Sequence, residues 1–242
     1  INSIYFYLTD ANSEIANSLP PIIMSQVTTI SINTSHIRLN STNIPDETLA
    51  HRLGLVPIKA NPRLYKTKEV ELNTIFLRLN VECSDGKPLV VYAKDIDIGD
   101  QRTFVDIAYP DIIIAKLVPG QKLSVDIECV KGQGKTHAKW SPVSTCAYRF
   151  LPEVKLCREF RGEDARRLQT CFPAGVIELD RDGVARVADA RKCFMGTEIE
   201  RHPDLAKHVV QQRRDDCFVF HVESIGSLAP HEIVAEAVQI LS

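Results

Sequence analysis

The stretch Asp46 to Tyr65, DETLAHRLGLVPIKANPRLY, constrains the fold most, because a helix must start, stop and give way to extended chain within a few turns. Asp46 and Glu47 put negative charge at a helix start, and Leu49, Ala50 and Leu53 make one apolar face. Gly54 is expected to stop the helix and Pro57 to bar its resumption. A connector of this kind joins two domains rigidly.

Two domains also fit a chain of 242 residues, in which each half can bury its own core. Apolar residues at 44% and charged residues at 25% describe an ordinary soluble globular protein. Lysine and arginine number 29 against 31 acidic residues, so no overall positive field exists to hold nucleic acid. The seven cysteines lack C-x-x-C spacing and suit reduced thiols in an intracellular protein. No apolar run approaches the ~20 residues of a membrane helix, and no signal peptide opens the chain. The missing initiator Met and the helical pattern running up to Leu241-Ser242 lead us to expect that the native ends lie beyond this sequence.

The pattern along the chain predicts an α+β fold. A strand over Ile1 to Leu8 leads to a helix over Asp10 to Ser25, which should kink or restart at Pro20-Pro21 because an interior proline costs roughly 3 kcal/mol or more. A strand over Val27 to Asn33 precedes polar turn residues through Asn43. Strands are expected over Leu72 to Cys83, Leu89 to Tyr92, Ile112 to Val118, Leu123 to Val130 and Val143 to Phe150, with turns at Asp85-Gly86 and Pro119-Gly120. Helices follow over Glu163 to Cys171 and Pro203 to Arg213, with a hairpin at Asp182-Gly183 between them. A strand over Cys217 to Glu223 and an amphipathic helix over Pro230 to Leu241 complete the pattern. Residues 1–57 and 215–242 are expected to form one discontinuous domain, with residues 58–214 as a mainly antiparallel β insert.

Motifs for chemistry are incomplete. Gly132-Gln133-Gly134-Lys135-Thr136 suggests a phosphate loop, but Cys129 stands where the motif needs glycine and no helix pattern follows. A glycine-rich turn is the better reading. His231-Glu232 opens like a zinc-protease helix, but Ala235 occupies the second histidine position. No metal, cofactor or catalytic residue is expected, and a nucleotide-binding enzyme using Gly132 to Thr136 is the competing reading from another class. Lys131, Lys135 and Lys139, with His137 and Trp140, form a basic cluster suited to an acidic strand or a protein rim. The apolar stripes of the two terminal helices have two readings, as core or as partner surface.

Several blocks resemble the larger alpha-like subunit shared by eukaryotic RNA polymerases I and III. They are SEIANSLPPIIMSQV (13–27), LAHRLGLVPIKANPR (49–63), KGQGKTHAKWSPVSTCAYR (131–149), QTCFPAGVIEL (169–179), VADARK (187–192) and FVFHVESIGSLAPHEIVAEAVQIL (218–241). They span nearly the whole chain in the family's order. The connector and HAKWSP blocks are similar to polymerase II and archaeal subunits as well.

The resemblance implies a dimerisation domain built from both chain ends around an inserted β domain, and a non-catalytic scaffold role in rRNA, tRNA and 5S RNA transcription. It implies a nuclear and nucleolar location and three kinds of partner: the smaller alpha-like subunit, the second-largest subunit and small zinc-binding subunits. No direct nucleic acid or membrane contact is expected. Ile15, Leu19, Ile22, Ile23, Ile233, Val234, Ala237 and Leu241 would face the smaller subunit across roughly 2,000 Å² or more. Arg52, Lys135, His137 and Lys139 are candidate contacts to the large subunits. Pro20-Pro21 stands where the family's first helix usually has two arginines, a departure that bears on helix continuity and on the charged contact expected there.

Overall fold

A computed structural model describes residues 2–65, 74–84, 86–99 and 104–241. It is α+β, with antiparallel sheets. The order begins β1 (Ser3–Thr9), α1 (Ser13–Ser25), β2 (Thr28–Asn40), α2 (Asp46–Gly54), β3 (Ile58–Ala60), β4 (Ile75–Glu82), β5 (Leu89–Tyr92), β6 (Val105–Ile107), β7 (Ile113–Leu117) and β8 (Lys122–Gln133). It continues β9 (Val143–Leu156), α3 (Gly162–Thr170), β10 (Ile177–Leu179), β11 (Ala185–Val187), α4 (Pro203–Ala206), β12 (Val209–Ser224) and α5 (Pro230–Leu241). Contacts divide the chain into one unit of residues 1–5, 17–147 and 221–242 and a second of residues 6–16 and 148–220.

The first unit is organised by β8, which pairs antiparallel with β2 on one side and β4 on the other. Leu123, Val125, Ile127 and Cys129 alternate into the core, where Ile75, Leu77 and Leu79 of β4 join them. Ser124, Asp126 and Glu128 point the other way, as the two-residue period of a strand requires. On that outer face Asp126 pairs with both Arg38 and Arg78, and His36 lies 3.3 Å from Glu128. The arginine hydrogen bonds, Arg78 first and then Arg38, hold the Asp126 carboxyl below its ordinary value.

α2 covers this core with Leu49 and Leu53, both fully buried. It forms as expected, but Gly54 is not a left-handed cap. The helix closes through Leu55 N–H to Arg52 O and Val56 N–H to Leu53 O, and the Ser31 hydroxyl donates to the Gly54 carbonyl. Pairs β3–β6 and β5–β7 complete the unit's smaller sheets.

The second unit packs α3 and the β10–β11 hairpin around Phe160, Leu168, Val176, Ile177 and Leu205. Gly183 takes φ 72° in the hairpin turn, and Asp180 accepts from Asp182 N–H and Val184 N–H to hold it. Strands β1, β12 and β9 form a sheet in that order, and each strand is divided between the two units.

Three expectations need correction. α1 is a single helix through Pro20 and Pro21, so it does not restart there. Burial of Leu19, Ile22 and Ile23, at roughly 1.5–3 kcal/mol each, is of the same order as a penalty of about 3 kcal/mol for each of the two prolines, and Pro20 is itself buried beside them. β2 continues to Asn40 where polar turn residues were expected, because those residues are the solvent face of a strand and two of them reach carboxylates on β8. The true turn is built on Asn40, which accepts from Thr42 N–H and donates to Ile44 O. The helix expected to reach Arg213 stops at Ala206, and the β-branched Val209-Val210 pair opens a sixteen-residue strand instead. Residues 72–73 of one expected strand, and Asp85 of one expected turn, lie outside the described residues.

Leu49→Ala, which empties a fully buried site, should cost about 2–5 kcal/mol and lower Tm by on the order of 5–15 °C in a thermal scan. The Asp126 carboxylate has a depressed folded pKa, so its contribution is complete above the ordinary 3.8 and is lost as pH falls through the folded value. Acid titration of Asp126→Asn should therefore show a smaller loss of stability below pH 3.8 than the unsubstituted chain does.

Candidate subunit interface

Each terminal helix divides its apolar residues between the chain's own core and its surface. On α1, Ala16, Leu19, Ile22 and Ile23 are buried, while Pro21 and Met24 are exposed with Asn17 on a second stripe at i, i+4, i+7 spacing. Ile15 is 45% exposed. On α5, Ile233 and Ala237 are fully buried. Val234, Val238 and Leu241 form the second stripe there, half-buried, 50% exposed and 42% exposed in turn. Of the eight residues expected to face a partner, Leu19, Ile22, Ile23, Ile233 and Ala237 thus lie in the chain's own core, and Ile15, Val234 and Leu241 reach the surface. Val238 and Met24 were not in that set. Their signal is helical spacing one residue round from the core stripe, which periodicity alone does not separate from core.

The first turn of α5 borders a cleft of ≈ 770 Å³ lined by Lys59, Arg63, Phe104, Asp106, His231 and Glu232, among others. Three of the charges around it, Glu232, Arg63 and Glu236, are engaged in holding the helix. Glu232 accepts from Ala229 N–H, and Arg63 Nε donates to Glu236 Oε1 at 2.6 Å. The His231-Glu232 pair is therefore part of a helix start, with Pro230 before it.

The glycine-rich segment is explained by packing. A Cβ on Gly132 would fall 2.3 Å from the Trp140 ring, and one on Gly134 would fall 2.0 Å from the Met24 carbonyl oxygen. Lys135 N–H donates to Ser25 O and Thr136 N–H to Gln133 O, so two loop amides that a phosphate would need are already engaged. A 3₁₀ turn at Ala138–Trp140 follows, not a helix whose N-terminus faces the loop.

Two lysines of the basic cluster are half-buried and bonded within the chain. Lys131 Nζ donates to Tyr65 O, and Lys139 Nζ donates to Asn33 Oδ1 while lying 4.4 Å from the Trp140 ring centroid. Burial pushes the Lys139 ammonium down. His137 Nδ1 accepts from Lys139 N–H, and Trp140 Nε1 donates to Val130 O. Lys135 and His137 remain exposed. Arg52 is exposed too, although its guanidinium donates to Ile113 O at 2.6 Å.

Burial pushes the Cys129 thiol up to about 12 and Cys146 up to about 11, so both are protonated at neutral pH. Among the described residues no group of three or more His, Cys, Asp or Glu side chains gathers at metal-holding distance, and no helix is long and apolar enough to cross a membrane.

A fold with two half-covered terminal helices and internally engaged charges is that of a protein built for assembly. Residues 28–145 match the RNA polymerase Rpb3/RpoA insert domain. Over 98% of this chain and 80% of the relative, it is 39% identical to DNA-directed RNA polymerases I and III subunit RPAC1 of Saccharomyces cerevisiae. The Homo sapiens protein of that name is 37% identical over 99% of this chain and 78% of its own length. DNA-directed RNA polymerase subunit Rpo3 of Methanopyrus kandleri is 31% identical over 98% and 86%. The chain belongs to the family of alpha-like RNA polymerase subunits typified by the subunit shared between polymerases I and III.

Gly134→Ala should destabilise the chain by about 1–3 kcal/mol, since the clash is with backbone, whereas Lys135→Ala should stay within about 0.5 kcal/mol. Thermal scans with and without added nucleoside triphosphate check both. A triphosphate-dependent rise in Tm that Lys135→Ala abolishes would restore the phosphate-loop reading.

Proposed function

We propose that this chain is a non-catalytic scaffold and assembly subunit of DNA-directed RNA polymerases I and III, acting in rRNA, tRNA and 5S RNA transcription. It is not itself an enzyme. It pairs with the smaller alpha-like subunit through its terminal helices, and the pair supports the second-largest subunit and small zinc-binding subunits. Residues 1–57 and 215–242 serve as the dimerisation domain, with residues 58–214 as the insert. Such a subunit works in the nucleus, and its polymerase I share in the nucleolus.

The observation that carries this reading is the unburied stripe Val234, Val238 and Leu241 on α5. Each such side chain gains roughly 1.5–3 kcal/mol on full burial, so a helix that leaves three of them partly wet is stabilised by a partner helix. The inward residues Leu19, Ile22, Ile23, Ile233 and Ala237 hold the helices in place, and the outward ones with Ile15 and Met24 make the contact. A polymerase II or archaeal role is the second reading. The 36–39% identity to the polymerase I and III subunits of yeast, mouse, human and cattle, against 31% for the archaeal subunit and 29% for the polymerase II subunit of Dictyostelium discoideum, whose own polymerase I and III subunit is 30% identical, disfavours it.

Co-expression with the smaller alpha-like subunit, followed by light scattering, should give a one-to-one heterodimer. Val238→Asp combined with Leu241→Asp should weaken that heterodimer by about 100-fold or more, because two carboxylates would have to be desolvated. A stable monomer that ignores the smaller subunit would overturn the proposal.

A further inference from the structure

Phe194 is 77% exposed, the most exposed large apolar side chain among the described residues. The loop that presents it is rigidly built. Asp189 accepts from Arg191 N–H to start a 3₁₀ turn, and Cys193 N–H closes it on Ala190 O. The Arg149 guanidinium donates to the carbonyls of both Arg191 and Cys193. Buried Cys193 accepts from Met195 N–H and donates to Gln211 Oε1, while Gln211 Nε2 donates to Gly196 O. Met195 sits at φ 57°, a left-handed conformation that a non-glycine residue adopts only at some cost. A loop held by this many bonds, with a strained residue beside an aromatic left in water, is preorganised for contact.

Beside Phe194 lies a cavity of ≈ 370 Å³ lined by Tyr148, Arg149, Phe150, Pro152, Cys193, Met195 and Arg213. Two guanidiniums and three aromatic rings edge it, counting Phe194, and among the described residues no carboxylate does. The Arg149 guanidinium carbon lies 5.9 Å from the Phe194 ring centroid. Strand alternation explains Arg213. Arg214 shares a face with Asp216 and pairs with it at 2.7 Å, while Arg213 projects from the other face. Asp215, two residues along that face, does not line the cavity.

We propose that Phe194 and this cavity dock an extended acidic segment of another polymerase subunit, one that carries an apolar side chain beside a carboxylate. The site is separate from the α5 stripe, and the proposal rests on the reading of the chain as a polymerase subunit. The apolar side chain fills the cavity against Phe150 and Phe194, and the carboxylate meets Arg213, with the charge of the carbonyl-bound Arg149 guanidinium beside it. Arginine and aromatic residues are the types that dominate binding energy at interfaces. A nucleic acid strand fits less well, since the nearby Arg191 and Arg214 are neutralised by Asp189 and Asp216.

The test uses the assembled polymerase, purified through a tag on this chain, with photoreactive benzoylphenylalanine at position 194. A cross-link to an acidic segment of another polymerase subunit is expected. In parallel, Phe194→Ala and Arg213→Glu, both exposed and therefore compatible with folding, should each reduce recovery of that cross-linked subunit by about tenfold or more while the heterodimer with the smaller alpha-like subunit survives. A cross-link to nucleic acid, to a neutral or basic segment, or to nothing overturns the proposal. So does full subunit recovery with both variants, and in that case the scaffold reading stands. If the unsubstituted chain recovers no polymerase subunits, both readings fall together.

Discussion

The alternation of β8 is the constraint on which the rest of the first unit depends. Leu123, Val125, Ile127 and Cys129 face one way and Ser124, Asp126 and Glu128 the other, so a single strand supplies both the middle of the core and the middle of a charged outer surface. A one-residue slip would exchange the two sets and bury three polar side chains, a cost far above the few kcal/mol by which domains are stable. Both neighbours are matched to this register: β4 sends Ile75, Leu77 and Leu79 to the same core, and β2 and β4 send arginines to the two sides of Asp126. Two glycines at and just beyond the end of the strand have a mechanical reason. Gly132 lies under the Trp140 ring and Gly134 against the Met24 carbonyl, so the end of β8 is where α1 and the turn at Ala138–Trp140 close onto the sheet.

This bears on which parts of the chain were legible beforehand. α5 and β5 match their expected limits because Pro230 starts one and the other is a short β-branched run before a tight turn. The hairpin at Asp182-Gly183 is legible for the same local reason. Where the reading failed, a long-range partner decided the outcome. The polar residues after Asn33 carry turn chemistry on their own, but backbone pairing with β8 from Thr34 to Asn40 makes them a strand. Pro20-Pro21 signals a break, but the burial of Leu19, Ile22 and Ile23 keeps the helix whole. Local propensity says nothing of either partner.

The candidate surfaces show the same limit at finer scale. Helical periodicity marks α5 as amphipathic, but core and contact stripes lie only one residue apart around the helix, with Ile233 and Ala237 inward and Val234 and Val238 outward. One apolar arc is therefore divided between core and surface, and periodicity alone does not place the division. Phe194 has no periodic signal at all. It is an isolated aromatic in a segment whose shape is set by Arg149 and Gln211, both distant in sequence, so nothing in its neighbours' identities marks it.

The charges complete the case for a protein whose work is assembly. A formal net charge of −2 leaves little long-range attraction for a polyanion, and the structure shows how much of the local basicity is already used. Lys131 and Lys139 donate to Tyr65 and Asn33, Arg52 to the Ile113 carbonyl, Arg63 to Glu236, and Arg38 and Arg78 to one shared carboxylate. A cation held by an internal acceptor has less to offer a phosphate, because the existing bond must be given up first. Exposed apolar side chains carry no such debt: the Val238 and Leu241 stripe loses only water on contact, and the gain on burying it is undivided. Exposed apolar side chains such as Val238, Leu241 and Phe194, the last edged by Arg213, are of the kind expected on a subunit whose partners are other proteins.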